Sequence, residues 1–218
     1  MEPYRVLLAD DHVIFRQGMK RLLQVRPAIE VVGEVRNGRE LLERLDSLKP
    51  DLVILDISMP GIGGIEATRE IKKRHPQVNV LMLTMHKNKE YMYHAISIGA
   101  KGYLVKEDSD IELFSAIEKI QKGGIYVTRL LREELQEDLP DLLKGNAKPS
   151  KRLLSSRENE VLKLIAEGKL NKEIAGILDI SIRTVENHRA SIMKKLNLNK
   201  TADIVRYAIQ SGIIELTF

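Results

Sequence analysis

Five polar side chains stand where apolar runs stop. Asp10 and Asp11 follow Val6-Leu7-Leu8-Ala9, and Asp56 follows Leu52-Val53-Ile54-Leu55. Thr84 closes Val80-Leu81-Met82-Leu83, and Lys106 closes Tyr103-Leu104-Val105. Were these runs neighbouring strands, the three carboxylates would converge. Unpaired, they would repel and raise one another's pKa. A hard divalent cation relieves that, and oxygen donors with room for water suit Mg²⁺. A cation pocket flanked by a hydroxyl and an ammonium suits a phosphoryl group. The metal and Lys106 would neutralise its oxygens, Thr84 would hydrogen-bond one of them, and a carboxylate would attack. A single Asp after a strand is commonly a turn residue or helix cap. Five such residues at the ends of four runs favour a site.

The elements that must carry them alternate. Counting Val31-Val32, there are five short apolar runs, each nearly continuous, as expected for strands buried on both faces. Between and after them lie helix-length segments, 13–24, 38–47, 64–74, 88–98 and 109–121. Their apolar residues recur at spacings of three and four, such as Leu41, Leu42 and Leu45, or Ile111, Phe114 and Ile117. The pattern predicts an α/β, flavodoxin-like domain with a five-stranded parallel sheet of order 2-1-3-4-5. In that order strands one and three are neighbours, and ligands gather at the strands' carboxyl ends.

Beyond residue 122 the pattern changes. Gly123-Gly124 ends the fifth helix, and 129–143 is a short amphipathic segment interrupted by Pro140. Lys144 to Ser150 reads as a polar linker. The expected organisation is 1–122, an α/β domain; 123–150, a linker; and 151–218, an all-α domain. Its four helices are expected near 156–166, 171–178, 182–197 and 201–211. Ser155 and Glu158 form a capping box, Asn171 is expected as the second N-cap, and Ser181 as the third. The second and third helices, joined by Asp179-Ile180-Ser181, make a helix-turn-helix. Net charge is +1 over 1–122, −1 over 123–150 and +4 over 151–218, so the whole excess lies with that motif. A basic balance there points to a polyanion partner.

Composition excludes other classes. The 218 residues contain no Cys, which removes disulfide scaffolds and thiolate chemistry and suits a reducing compartment. There is no Trp and only 4% aromatic content, which disfavours base-stacking platforms for single strands. The five His, at 12, 75, 86, 94 and 188, show no ligand spacing. No apolar run approaches the ~20 residues of a membrane span, and Met1-Glu2-Pro3-Tyr4-Arg5 does not resemble a secretion signal, so a cytoplasmic protein is expected.

Residues 5–121 resemble a response-regulator receiver domain. The resemblance rests on Leu8-Ala9-Asp10-Asp11-His12, Asp51 to Pro60, Gly63-Gly64, Leu83-Thr84 and Gly99 to Lys106. It implies that Asp56 accepts a phosphoryl group from a histidine kinase. It further implies Mg²⁺ on Asp11, Asp56 and the Ser58 backbone carbonyl, with Asp10 acting largely through water. Thr84 and Tyr103 would form the switch, Thr84 moving to the phosphoryl group and Tyr103 turning inward, while Lys106 pairs with the phosphoryl oxygens. Ser58 and His86 occupy positions that tune phosphoryl lifetime in the family. Receivers often have a cis proline after the lysine; here Glu107 follows, so a trans bond is expected. Haloacid-dehalogenase phosphatases also use an aspartyl phosphate, but they need two Asp separated by one residue, and Asp10-Asp11 fails that spacing.

Leu154 to Glu158, Asn171 to Ala175 and Ser181 to Arg189 resemble the LuxR-type DNA-binding domain. Together the halves look like a NarL/FixJ-type response regulator. The resemblance implies that Glu186, Asn187 and Ala190 face bases. Asn187 can pair with adenine in a bidentate way; Glu186 can accept from cytosine or offset its own helix's charge. Lys172, Arg183, Thr184, Arg189 and Lys194 are candidate phosphate contacts. Ile204, Val205 and Ala208 on the last helix are candidates for a dimer contact, some of them shared with the core. A homodimer on pseudo-palindromic double-stranded DNA is then expected.

Overall fold

The computed structural model describes residues 2–85, 89–134 and 154–210. His86, Pro140 and the linker 144–150 lie outside the described residues. The chain divides into two compact units, Met1–Pro149 and Ser150–Phe218.

The first unit runs β1 (Tyr4–Ala9), α1 (Val13–Gln24), β2 (Ile29–Val35), α2 (Gly38–Leu48), β3 (Leu52–Asp56), α3 (Gly64–Arg74), β4 (Asn79–Thr84), α4 (Lys89–Ser97), β5 (Gly102–Val105), a 3₁₀ turn (Lys106–Asp108), α5 (Ser109–Gln121), β6 (Tyr126–Val127) and α6 (Arg129–Glu134). The sheet is parallel, in the order β2-β1-β3-β4-β5-β6. The expected 2-1-3-4-5 order holds, with a sixth strand added beside β5. Successive strand residues point to opposite faces. Val6, Leu8, Leu52, Ile54, Leu81, Leu83 and Leu104 pack with Met19 and Leu23 of α1 and with Leu113, Ile117 and Ile120 of α5. Leu7, Val53, Leu55, Val80 and Met82, on the alternate positions, are equally buried. Burial on both faces is the reason these strands read as continuous apolar runs.

Local chemistry starts the helices. Asn37 Oδ1 accepts the Glu40 N–H at 2.9 Å, and Glu40 Oε2 accepts the Arg36 N–H at 3.0 Å, which caps α2. At Gly64 a Cβ would lie 2.3 Å from the Asp56 carbonyl oxygen. Only glycine therefore allows α3 to begin against the end of β3. Gly123, with φ +79°, turns the chain out of α5 towards β6. Every described peptide bond is trans, that after Lys106 included.

The second unit holds α7 (Ser156–Ala166), α8 (Asn171–Leu178), α9 (Ile182–Leu196) and α10 (Thr201–Gln210). Its core joins Leu154, Val161, Leu162, Ile165, Ile174, Val185, Ile192, Ile204 and Ala208. Ser155 and Glu158 form the capping box, and Ser181 Oγ accepts the Thr184 N–H at 3.0 Å. The second helix departs from expectation. Leu170, not Asn171, is its N-cap, because the Glu173 carboxylate satisfies the Leu170 N–H at 2.7 Å. Asp179, at φ +50°, ends α8 in the left-handed region and opens the turn into α9. Among the described residues no helix is long and apolar enough to cross a membrane.

Candidate functional site

Pairing of β1 with β3 sets Ala9 opposite Leu55, so the residues after them share one edge. Asp10 and Asp56 are buried there, at 5% and 3% exposure, and Asp11 is half-buried. Lys106, at the end of β5, brings Nζ to 2.9 Å from Asp56 Oδ2 and 2.7 Å from Asp10 Oδ2. Its ammonium also lies 4.7 Å from the Phe15 ring centroid. The Ser58 N–H donates to Asp56 Oδ1 at 3.3 Å, which places the Ser58 backbone at the pocket.

Thr84 and Tyr103 are fully buried and their side chains are hydrogen-bonded to each other. Tyr103 thus already occupies the inward position named for the switch. Burial, then the neighbouring Tyr91 and the Asp56 charge, push its hydroxyl well above the ordinary tyrosine value.

The charges answer one another. Burial opposes ionisation of Asp56, but His12, Lys106 and the Ser58 N–H outweigh it and hold the carboxyl below its ordinary value. Burial likewise opposes the Lys106 ammonium, yet Asp56 and Asp10 raise its pKa. Asp11 is raised by burial and by the Asp56 and Asp10 charges.

His12 is the residue that spacing missed. Its Nδ1 lies 3.1 Å from Asp10 Oδ1, 3.1 Å from Asp11 Oδ1 and 3.7 Å from Asp56 Oδ2. Asp56 first, then Asp11 and Asp10, hold the imidazole up to about 9. Donor atoms of Asp10, Asp11, His12 and Asp56 all lie within 4.8 Å of one another. Carboxylate oxygens dominate that set, which fits a hard divalent cation.

In the second unit Glu186, Asn187 and Ala190 are exposed on α9, as are Arg183 and Lys194; Lys172 is exposed on α8. Other residues have internal duties. Thr184 is half-buried, its hydroxyl 2.7 Å from Ser181 Oγ within the cap. Arg189 donates to Asn171 Oδ1 at 3.3 Å and to Thr201 Oγ1 at 2.9 Å, tying the starts of α8 and α10 to α9. Ile204 and Ala208 are fully buried in their own core, a correction to their reading as dimer contacts; Val205 is half-buried.

Sequence reasoning took Glu158 for a cap alone. It is 4% exposed and also accepts from Ser191 at 2.5 Å and Lys195 at 2.6 Å, both on α9. The signal is a Ser and a Lys four apart, on one face of α9.

An acidic pocket at the edge of a parallel sheet, followed by a helix-turn-helix, defines a response regulator with a DNA-binding output. The family model of the response regulator receiver domain matches residues 6–118, and that of the bacterial regulatory proteins of the luxR family matches 152–208. The oxygen regulatory protein NreC of Staphylococcus epidermidis is 37% identical over 217 residues, covering 97% of this chain and 99% of that protein. The transcriptional regulatory protein DegU of Brevibacillus brevis is 34% identical, covering 97% and 95%. Among solved structures, an RcsB–DNA complex matches with TM-score 0.66 and 29% identity over 94% of this chain and 98% of that one. RcsB of Salmonella enterica serovar Typhimurium, bound to a promoter with the phosphomimetic BeF3⁻, gives 0.65 and 31% over the same shares. The chain belongs to the NarL/FixJ-type two-component response regulators: a receiver domain with a LuxR-type DNA-binding domain, and not a classical enzyme.

Proposed function

We infer that this regulator is switched by transfer of a phosphoryl group from a histidine kinase to Asp56. The observation that carries this is the buried Asp56 carboxylate with Lys106 Nζ 2.9 Å away and two further Asp beside it. An Asp56 oxygen attacks phosphorus, the bond from phosphorus to the kinase imidazole breaks, and the imidazole leaves with its electron pair. Lys106 faces the added negative charge, and Thr84 offers a hydroxyl to one phosphoryl oxygen. Asp10, Asp11, Asp56 and the Ser58 carbonyl would hold Mg²⁺, which when bound supplies further charge neutralisation. The same groups allow the chain to take phosphoryl from a small acyl phosphate and to lose it to water.

The output is double-stranded DNA. Asn187, with Glu186 and Ala190, reads base edges, while Lys172, Arg183 and Lys194 meet phosphates. Thr184 and Arg189 hold the domain's shape as well as facing the backbone of the duplex. A homodimer, with Val205 at its contact, reads a pseudo-palindromic operator in the cytoplasm. Acyl-phosphate labelling tests the switch: wild type takes label with Mg²⁺, and Asp56→Asn does not. Equal labelling of that variant would sink the assignment.

A further inference from the structure

Two adjacent residues of α7 reach the two helices of the helix-turn-helix. Successive residues on a helix point about 100° apart, so neighbours can meet different partners. Arg157 donates from its guanidinium to the Leu178 carbonyl at the end of α8. That carbonyl lies in the helix's last turn, where no intrahelical N–H is available to it. Another arm of the guanidinium is fixed by Glu160 Oε2 at 2.7 Å. Asp179, at φ +50°, follows Leu178 directly, so Arg157 grips α8 where the chain turns towards α9.

Glu158, buried beside it, grips α9. Its Oε1 accepts the Ser191 hydroxyl and its Oε2 accepts Lys195 Nζ, while the Ser155 N–H also donates to Oε2 at 2.6 Å. Burial opposes ionisation, but Lys195, Ser191 and the Ser155 N–H outweigh it and hold the carboxyl below its ordinary value. Asn187, Ser191 and Lys195 follow one another at intervals of four, so they form one row along α9. Glu158 therefore holds the row that begins with the exposed Asn187.

The apolar side of α9 does not supply this control. Val185 and Ile192 are fully buried in the core. Apolar attraction is non-directional, so it keeps α9 on the core and tolerates a small roll about the helix axis. Hydrogen bonds are directional. A roll of about 10° moves a side chain at the helix's outer radius by about 1 Å, enough to spoil a bidentate pair.

We propose that Arg157 and Glu158 are positioning residues for base readout. Arg157 fixes where α8 ends and α9 begins, and Glu158 fixes the roll of α9. They act through Leu178, Ser191 and Lys195. The proposal rests on double-stranded DNA being the output and on Asn187 meeting a base.

The full-length chain, with acetyl phosphate and Mg²⁺ throughout, is tested on double-stranded oligonucleotides with a randomised centre, from which the wild type selects its preferred sequence. Affinity for that sequence, for its single-base changes and for random-sequence DNA is then measured for wild type, Arg157→Met, Glu158→Gln and Ser191→Ala. The temperature is one at which circular dichroism shows each chain folded. Arg157→Met and Glu158→Gln should lower the ratio of preferred to random DNA by about tenfold, the worth of one bidentate base contact. Affinity for random DNA should stay within about twofold of wild type, because phosphate contacts carry that binding. Ser191→Ala removes one directional bond and strands no charge; it should lower the ratio by about threefold. If Glu158→Gln does not fold, Ser191→Ala alone decides. The loss should fall on the base position that Asn187→Ala relaxes, and adding Glu158→Gln to Asn187→Ala should cost nothing further there. Variants that keep the wild-type ratio, that lose both DNAs by one factor, or that relax only other positions overturn the proposal and leave DNA binding standing. A wild type that selects no sequence removes the DNA reading, and the positioning role with it.

Discussion

The two functional regions handle charge in opposite ways. In the receiver, the buried Lys106 ammonium lies within 3 Å of both the Asp10 and the Asp56 carboxylates, which are buried with it. In the DNA-binding unit, Lys172, Arg183 and Lys194 are exposed, and none is paired among the described residues. A pocket that must accept one small anion is pre-organised by internal partners, which keeps desolvated charge tolerable. A surface that must meet a polyanion leaves its cations to water until the phosphates replace it. Charge therefore shapes the stability of the first region and the affinity of the second.

Breaking the internal pairing should have the largest effect. Lys106→Met leaves two buried carboxylates facing each other, and the receiver should lose about 3 kcal/mol in metal-free urea unfolding. Mg²⁺ should restore part of that loss. Glu158 is the exception that sharpens the contrast, a buried charge in the DNA-binding unit. Glu158→Ala strands Lys195 and Ser191, and should cost that unit about 2 kcal/mol by the same measurement. If it costs nothing, the recognition helix is held by its apolar face alone.

The exposed side should respond differently. Asn187→Ala should weaken operator binding by about 1–3 kcal/mol and relax one base position in a mutated-operator series. Equal loss on every DNA would make it a positioning residue. Lys194→Ala should change stability by under about 0.5 kcal/mol. It should instead weaken binding to all DNAs, with a salt slope smaller by about 1.

The smallest effect concerns pH. His12 is held up to about 9, above its ordinary 6.5. The stability it adds is full below pH 6.5 and is lost as pH rises through about 9. His12→Asn should flatten the metal-free stability profile over that window, as followed by thermal unfolding.

Much of this was legible because both signals are local. Strands buried on two faces leave continuous runs, and polar residues at their ends mark the edge where the acidic pocket forms. Caps such as Ser155 with Glu158 are written within four residues. What was not legible depended on neighbours. Tyr126-Val127 is too short to show a period, and only its bonds to β5 make it a strand. Ile204 and Ala208 form an apolar stripe that looks the same whether its cover is a core or a partner. Asp10 and Asp11 directly precede His12, but Asp56 joins them only through the pairing of β1 with β3, so the full set around His12 has no sequence spacing to show. Arg189 reads as one more surface cation until Asn171 and Thr201 are brought to it.

The central claim is that Asp56 carries the phosphoryl group. Borohydride reduction of the phosphorylated chain converts an aspartyl phosphate to homoserine, which peptide mapping locates. Homoserine at position 56 alone is the expected result. Homoserine at position 10 or 11, or an unaltered position 56 in a chain that has taken label, would contradict it.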